Sequence, residues 1–511
     1  MKKFITLCFL ASAVLAQAKV YTLADLVDVV GTMENSYEKN GETITETIGI
    51  TVDDDNVYTI MLPTGLAADV SGIGFDDNNI ILTKKYFTIT EGNDLAINEG
   101  ETLQFAGAAM LEMLGTLTAT TATFKPAEGA EGTAQGFRMY GDNADATFTD
   151  CIFNKLGINF GSSNGNLVMD GCTFLEHNGK SGNSAVNFTS SCNGNEITNC
   201  TFTNCALSGV ASGANTGVGI IIKDCEFLHE NVVTRLYPHI NLTLDSNREI
   251  IIDSNKVIGS KQTNRSGGIA ISNLLGGTYT GAVYVCNNYV EGNSYGITLT
   301  GQGNIYIENN KVIDNKYIAS AASGGSGINI TCSTEGVLAK AYIKGNLIKD
   351  NLWGITAYSV KNGVPIGSVE INAGKGSDPE AEDYNPGGNV FINNGNGGVL
   401  YDFYNNTSLD NYAQGNTWNV EVQDEEHIEA VVVHKNDDEN LGTLFFMPPA
   451  ASTVGDLNGD GVVDIADVNI CINIILELNN DPELKELADL NGDGVVDVAD
   501  VNAIINIILA N

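Results

Sequence analysis

The sequence predicts an all-β solenoid of stacked coils followed by a small α-helical module. Three observations predict it. A short motif, Cys or Asn, any residue, then Phe, Val or Ile, recurs from Cys151 to Asn389, with a related copy at Asn416. Most copies are soon followed by glycine and a β-branched residue, as in "YGITL" and "SGINI". Near the end an acidic, glycine-centred stretch is written twice, 33 residues apart: "DLNGDGVVDIAD" from Asp456 and "DLNGDGVVDVAD" from Asp489.

Taken in chain order, residues 1–18 read as a bacterial-type signal peptide. Two lysines precede an apolar run, and Ala16-Gln17-Ala18 stands before Lys19. The run is too short to span a membrane, and no later segment has 18 unbroken apolar residues, so the expected product is secreted, extracellular or on the cell surface, without membrane insertion. With 25 basic against 63 acidic residues, a formal charge of −38 argues against nucleic acid as a partner. Residues 19–85 carry weak signals and are expected to form an N-terminal cap or first coil.

The solenoid is expected over residues 86–447. Its inward column reads Cys151, Cys172, Cys200, Cys225, Asn255, Asn288, Asn310, Asn346, Asn389 and Asn416. Short strands punctuated by glycine and asparagine at this period close only by stacking coil on coil. Like then sits on like about 4.8 Å apart, so asparagine amides can form hydrogen-bonded ladders. The same spacing lies within disulfide range, but Asn replaces Cys in later coils, which favours buried free thiols. The pattern resembles the right-handed parallel β-helix superfamily that includes pectate lyases. Leu95 to Ala119 resembles the first rungs of secreted members, and the stretch from "GNTW" to "FFMP" resembles a closing segment.

Pro448 and Pro449 open a linker, residues 448–455, and residues 456–511 form the helical module. In each acidic stretch oxygen side chains fall at positions 1, 3, 5, 9 and 12 with glycine at 6, the ligand spacing of an EF-hand calcium loop. The metal ligands are Asp456, Asn458, Asp460, the Val462 carbonyl, Asp464 and Asp467, then Asp489, Asn491, Asp493, the Val495 carbonyl, Asp497 and Asp500. Two Ca2+ sites follow, and metal should staple a module too small to bury a sufficient core. Two loops, each with only an exit helix, resemble a type I dockerin. The resemblance implies a cohesin-like scaffold partner, and an intramolecular docking surface is the other possibility. Many dockerins carry a hydroxyl pair at loop positions 10 and 11; here Ile465 and Ala466, then Val498 and Ala499, stand there as candidate partner-binding residues. The near-identity of the copies predicts two almost equivalent faces. Each exit helix has more apolar residues than one packing stripe needs, the stripes being read as Val468, Ile472, Ile475, Leu476 and Val501, Ile505, Ile508, Leu509.

The β-helix and the usual cargo of dockerins imply a polysaccharide-degrading enzyme, a polysaccharide lyase or an O-glycosyl hydrolase. A non-catalytic glycan-binding or adhesin-like surface protein is the alternative. A lyase needs a base and cations that neutralise a uronate. The sequence has four arginines: Arg138, Arg235, Arg248 and Arg265. Lys223, Arg235 and His239 make the best basic cluster along the chain and are the catalytic candidates. Long intervals between motifs mark cleft loops, with Arg265, Tyr295, Trp353 and Tyr358 as substrate-binding candidates. The rings can equally cap the edge of the coil. Neither the paired Asp and Gly-His-Gly of polygalacturonases nor the Arg-x-Pro-x-x-Arg of pectate lyases is present.

Overall fold

The computed structural model describes residues 19–63, 72–179, 184–230, 237–244, 247–262, 266–273, 281–318, 324–376, 378–420, 422–450, 455–458 and 463–510. The expected signal peptide lies outside them. From residue 86 onward the chain winds through three long parallel sheets. One coil gives the path: Asn93–Ile97 in sheet A, Thr102–Phe105 in sheet B, Met110–Met113 in sheet C, then Leu117–Thr120 back in sheet A. Among the described residues, sheets A and B have 14 strands each and sheet C has 15.

The short corner between sheets A and B shows why the motif repeats. Asp150, Asn199, Asp224, Ser254, Asn287 and Asn309 bend there with φ between 52° and 57°. These are mostly the residue types that tolerate the left-handed region by bonding locally. The next residue turns inward. Asn255, Asn288, Asn310, Asn346, Asn389 and Asn416 each accept, through Oδ1, the backbone N–H of the residue one coil earlier, at 2.8–3.0 Å. Their amide nitrogens donate to backbone carbonyls, as Asn346 Nδ2 does to Ile307 O at 2.9 Å. In the earlier coils Cys151, Cys172, Cys200 and Cys225 occupy the same slot as buried free thiols, and burial among like thiols pushes Cys172 up to about 12.

Five residues on, a second ladder occupies the corner between sheets B and C. Asn293, Asn315, Asn351 and Asn394 are joined amide to amide at 3.0–3.3 Å. The Oδ1 of the first meets no donor among the described residues; Gly259 and Ser260 stand at that corner one coil earlier. The last donates to Asp402 Oδ1 at 3.3 Å. Asp402 also accepts from Asn419 N at 2.9 Å, and burial pushes its carboxyl up to about 7 against those two bonds. A folded pKa above the unfolded value near 3.9 means that the folded state holds the proton more tightly. This group's contribution to stability is therefore present at low pH and lost as pH rises through about 7. The melting temperature of the wild type relative to Asp402→Asn should rise by a few degrees from about pH 8 to about pH 5. A difference flat across that range removes the assignment.

Inside the coil, Phe153, Phe174, Phe202 and Phe227 stack at 4.4–4.8 Å, and Val257, Val290, Val312 and Ile348 continue their column. The glycines before the β-branched residues serve close approach. A Cβ on Gly296 would lie 2.3 Å from Gly327 O, and one on Gly268 would lie 2.4 Å from Gly296 O.

Both ends are covered, as an open stack requires. At the start, Lys19–Thr22 already pairs with Asn93–Ile97 in sheet A. Helix α1, Leu23–Val30, follows, opened by a capping box between Thr22 and Asp25. It buries Leu23, Leu26 and Val30 in the main core. Thr32–Lys39 and Glu42–Val52 form an antiparallel hairpin. At the other end, helix α2, Glu425–Glu429, sits in the closing segment, where Trp418 stacks on Phe391 at 4.9 Å.

The module near the end has helices α3, Ile465–Ile475, α4, Pro482–Ala488, and α5, Val498–Ala510. Its separate core comprises Leu457, Val463, Val468, Cys471, Ile474, Ala488 and Ile504, with partly buried residues around it. Half of the expected stripe packs: Val468 is in the core and Ile475, Val501 and Ile508 lie against it. The other half, Ile472, Leu476, Ile505 and Leu509, faces solvent, while Cys471, Ile474 and Ile504 face inward. An all-round apolar helix does not reveal its buried face, so the crossing of α3 against α5 decides it.

Candidate functional site

Of the residues expected to form a basic catalytic cluster, Lys223 and His239 lie on different sheets. Lys223 ends a strand of sheet A and pairs with Asp253 at 3.4 Å. His239 lies just before a strand of sheet C and is 2% exposed. Its ring is 3.9 Å from that of His229. Burial, with the His229 ring beside it, holds the His239 imidazole well below its usual range, so it is neutral and enclosed. It is no proton carrier for a bound polymer. Arg235 and Arg265 lie outside the described residues.

Of the aromatic candidates, Trp353 is buried at the start of a sheet C strand and stands 6.3 Å from Tyr401. Tyr358, at the end of that strand, is half-buried. Tyr295 packs against Gly267, where an added Cβ would fall 2.0 Å from its ring, and burial pushes its phenol up. Trp353 and Tyr295 therefore serve the edge of the coil rather than an open platform.

The polar concentration on sheet C lies several coils earlier. Thr88, Glu112, Arg138, Asn159 and Asn187 are register partners on five successive strands. Alternate positions on those strands, such as Leu111 and Phe137, are fully buried in the core, so this column points outward. Thr88 Oγ1 donates to Glu112 Oε2 at 3.0 Å. Glu112 Oε1 lies 3.2 Å from Arg138 Nε, an ion-pair distance but out of line for a hydrogen bond. The Arg138 guanidinium lies over the rings of Tyr140 at 3.6 Å and Tyr86 at 4.6 Å, and Nη1 donates to the Tyr86 hydroxyl. Asn187 Nδ2 donates to Asn159 Oδ1 at 3.2 Å. Thr189 Oγ1 donates to the hydroxyl of Tyr140, which is 36% exposed.

Sequence reasoning counted Arg138 but had no register for it. The Cys and Asn column that marks the coils is blank there, because Ala122 occupies its slot; Ile152 N bonds to Ala122 O at 2.9 Å.

In the acidic loops, Asp467 and Asp500 are fully buried. Asp467 Oδ1 accepts from Leu457 N at 2.7 Å and Asn458 N at 3.0 Å, and Oδ2 from Asp464 N at 2.9 Å. Asp500 accepts from Asn491 N at 3.2 Å and Asp497 N at 2.9 Å. Neither has a Lys, Arg or His partner among the described residues. A buried carboxylate without a cationic side chain fits a metal ligand. Asp489 accepts from Asp493 N and Gly494 N, the close loop turn that the spacing requires. Among the described residues, no three His, Cys, Asp or Glu side chains yet converge on one point. Of the other expected ligands, Asp460 and Val462 lie outside the described residues, while Asp456, Asn458, Asp464, Asn491, Asp493, Val495 and Asp497 are described. Ile465, Val498 and Ala499 are exposed and Ala466 is half-buried. No described helix is long and apolar enough to cross a membrane.

No curated protein matches the chain. Among solved structures, the periplasmic alginate epimerase AlgG is 13% identical, with 84% of this chain and 81% of that chain covered and a TM-score of 0.35. A double mutant of it is 11% identical, with the same coverage of both chains and a TM-score of 0.40. The family model for a right handed beta helix region matches residues 135–348, and that for a dockerin type I domain matches residues 454–509. Dockerin type I domains bind calcium and cohesins. The chain therefore combines a right-handed parallel β-helix with a dockerin type I domain.

Proposed function

We propose that this protein is exported and acts on a complex polysaccharide through sheet C of its β-helix, while its dockerin, loaded with two calcium ions, holds it on a cohesin-bearing scaffold. The observation that carries the reading is the outward column from Thr88 to Asn187. It sets polar side chains in a straight line, one per coil, at about the 4.8 Å strand spacing. A linear polar polymer laid along the axis meets such a line unit by unit. The net charge of −38 turns nucleic acid away, and sugars, rich in hydroxyls, suit Thr, Asn and Tyr partners. Glu112 and Arg138 add an ion pair to the column, a carboxylate and a guanidinium for the hydroxyl and acid groups of a sugar to meet. At the dockerin, the exposed Ile465 and Val498 with Ala466 and Ala499, and the apolar Leu476 and Leu509 that the module's own core leaves uncovered, are the surface offered to the scaffold.

The test is incubation of the full mature protein in calcium with uronate-bearing and neutral polysaccharides. Ultraviolet absorbance from an unsaturated uronate identifies a lyase, and new reducing ends alone identify a hydrolase. Retention without cleavage selects the glycan-binding alternative. Neither retention nor cleavage on any polysaccharide overturns the proposal.

A further inference from the structure

Resting on that reading, we infer that Arg138 and Asn159 form the subsite for one acidic sugar, whose carboxylate they receive between the rings of Tyr86 and Tyr140. The guanidinium is held from three sides. Tyr140 lies over it at 3.6 Å and Tyr86 at 4.6 Å, and Glu112 stands at Nε, itself fixed by Thr88. Apart from its bond to the Tyr86 hydroxyl, the edge formed by Nη1 and Nη2 meets no partner among the described residues.

Beyond that one bond the edge is a planar fork, the geometry that takes a carboxylate through N–H bonds from Nη1 and Nη2. A guanidinium already stacked on aromatic rings loses little further freedom when it binds. Asn159 is the register partner of Arg138 on the next coil. Its Oδ1 is occupied by Asn187 Nδ2, so its own amide nitrogen is left as a further donor beside the guanidinium. The Arg138 side chain is 25% exposed. This is wet enough for a polymer to reach and dry enough to strengthen a charged bond. The exposed ring of Tyr140 offers an apolar surface to the C–H face of the same sugar. Glu112, 15% exposed and tied at both oxygens, repels a second anion and so limits the subsite to one carboxylate.

The experiment is calorimetric binding of oligouronates, sulfated oligosaccharides and neutral oligosaccharides of equal length to the full chain in calcium, at two salt concentrations. Oligouronates are expected to bind, more weakly at high salt. Arg138→Gln should weaken them about 10- to 100-fold, the range for losing a charged hydrogen-bonded pair. Arg138→Lys keeps the charge opposite Glu112 but loses the fork, so it should fold as the wild type and still lose most of that affinity. Asn159→Leu should weaken binding less.

Oligouronate affinity unchanged in Arg138→Lys and in Asn159→Leu overturns the inference and leaves the polysaccharide reading intact. Preference for sulfated over carboxylated chains overturns the carboxylate assignment. Binding of neutral chains alone overturns the subsite, and binding of none overturns the underlying reading.

Discussion

Residues 450–511, produced alone, will gain helix when calcium is added, reach a plateau near two equivalents, and lose nearly all of that helix to a chelator. The module's own core is small: Leu457, Val463, Val468, Cys471, Ile474, Ala488 and Ile504, with a few partly buried neighbours. A unit of this size does not bury enough apolar surface to offset the entropy of ordering its chain. It also buries two carboxylates, Asp467 and Asp500, without a basic side chain against them. Each closes its loop onto the helix that follows, Asp467 through its bond from Asp464 N and Asp500 through its bond from Asp497 N. Ligand binding and folding are then one event, and the binding free energy is the folding free energy. Circular dichroism during a calcium titration measures it. Asp500→Ala should reduce the plateau to about one equivalent, because five oxygen side chains of the first loop remain. A helical spectrum that chelation leaves unchanged would show that the apolar core suffices by itself.

The second large effect is expected in the body. Asn346→Leu should destabilise the β-helix by about 3–5 kcal/mol, because leucine keeps the branched outline but is bulkier and makes no hydrogen bond in a fully enclosed site. Asn346 Oδ1 accepts from both Asn310 N and Asn310 Nδ2 at 2.9 Å. Its Nδ2 donates to Ile307 O, Lys344 O and Asn389 Oδ1 at 2.9–3.0 Å. Leucine leaves the Asn310 N–H buried and unpaired, at about 1–3 kcal/mol, removes one donor from the Ile307 carbonyl and overpacks the slot, at about 1–3 kcal/mol more. Cys172→Ala, in the same slot of an earlier coil, loses only weak thiol bonds to Phe148 O and Asp170 O. It should cost about 1–2 kcal/mol. The urea midpoint of the β-helix transition, with calcium held constant, separates the two. If Asn346→Leu stays within about 1 kcal/mol of the wild type, the ladder is a packing feature and not a hydrogen-bonded one.

How much was legible in the sequence follows from the same ladder. The column from Cys151 to Asn416 could be read because one slot, at one corner, imposes the same requirement in every coil. From Cys151 onward that slot holds a small thiol or a self-complementary amide. The acidic loops could be read for a related reason: a cation dictates which residues in a row supply oxygen. The companion ladder, Asn293 to Asn394, leaves in the sequence only an asparagine five residues after Asn288, Asn310, Asn346 and Asn389. Its role emerged when the coils were set in register.

The outward side chains obey no such shared requirement, so the site left no periodic mark. Arg138 meets Tyr86, 52 residues away, because a single sheet C strand, Met110–Met113, lies between theirs, and the loops between those coils set a distance that no local pattern encodes. The same lack of register made Lys223, Arg235 and His239 look like neighbours, when the coil turns Lys223 and His239 onto different sheets and seals the histidine inside. In the dockerin, the apolar residues of α3 and α5 were plain, but which of them pack was not, since Ile472 and Ile474 differ only in the direction they face. The sequence by itself determined the solenoid, its corners and the metal-ligand spacing, because each is a local demand repeated in the chain. The tertiary structure decided which side chains meet on the outer face and which apolar stripe is buried, because those contacts depend on the register between coils and on the crossing of helices.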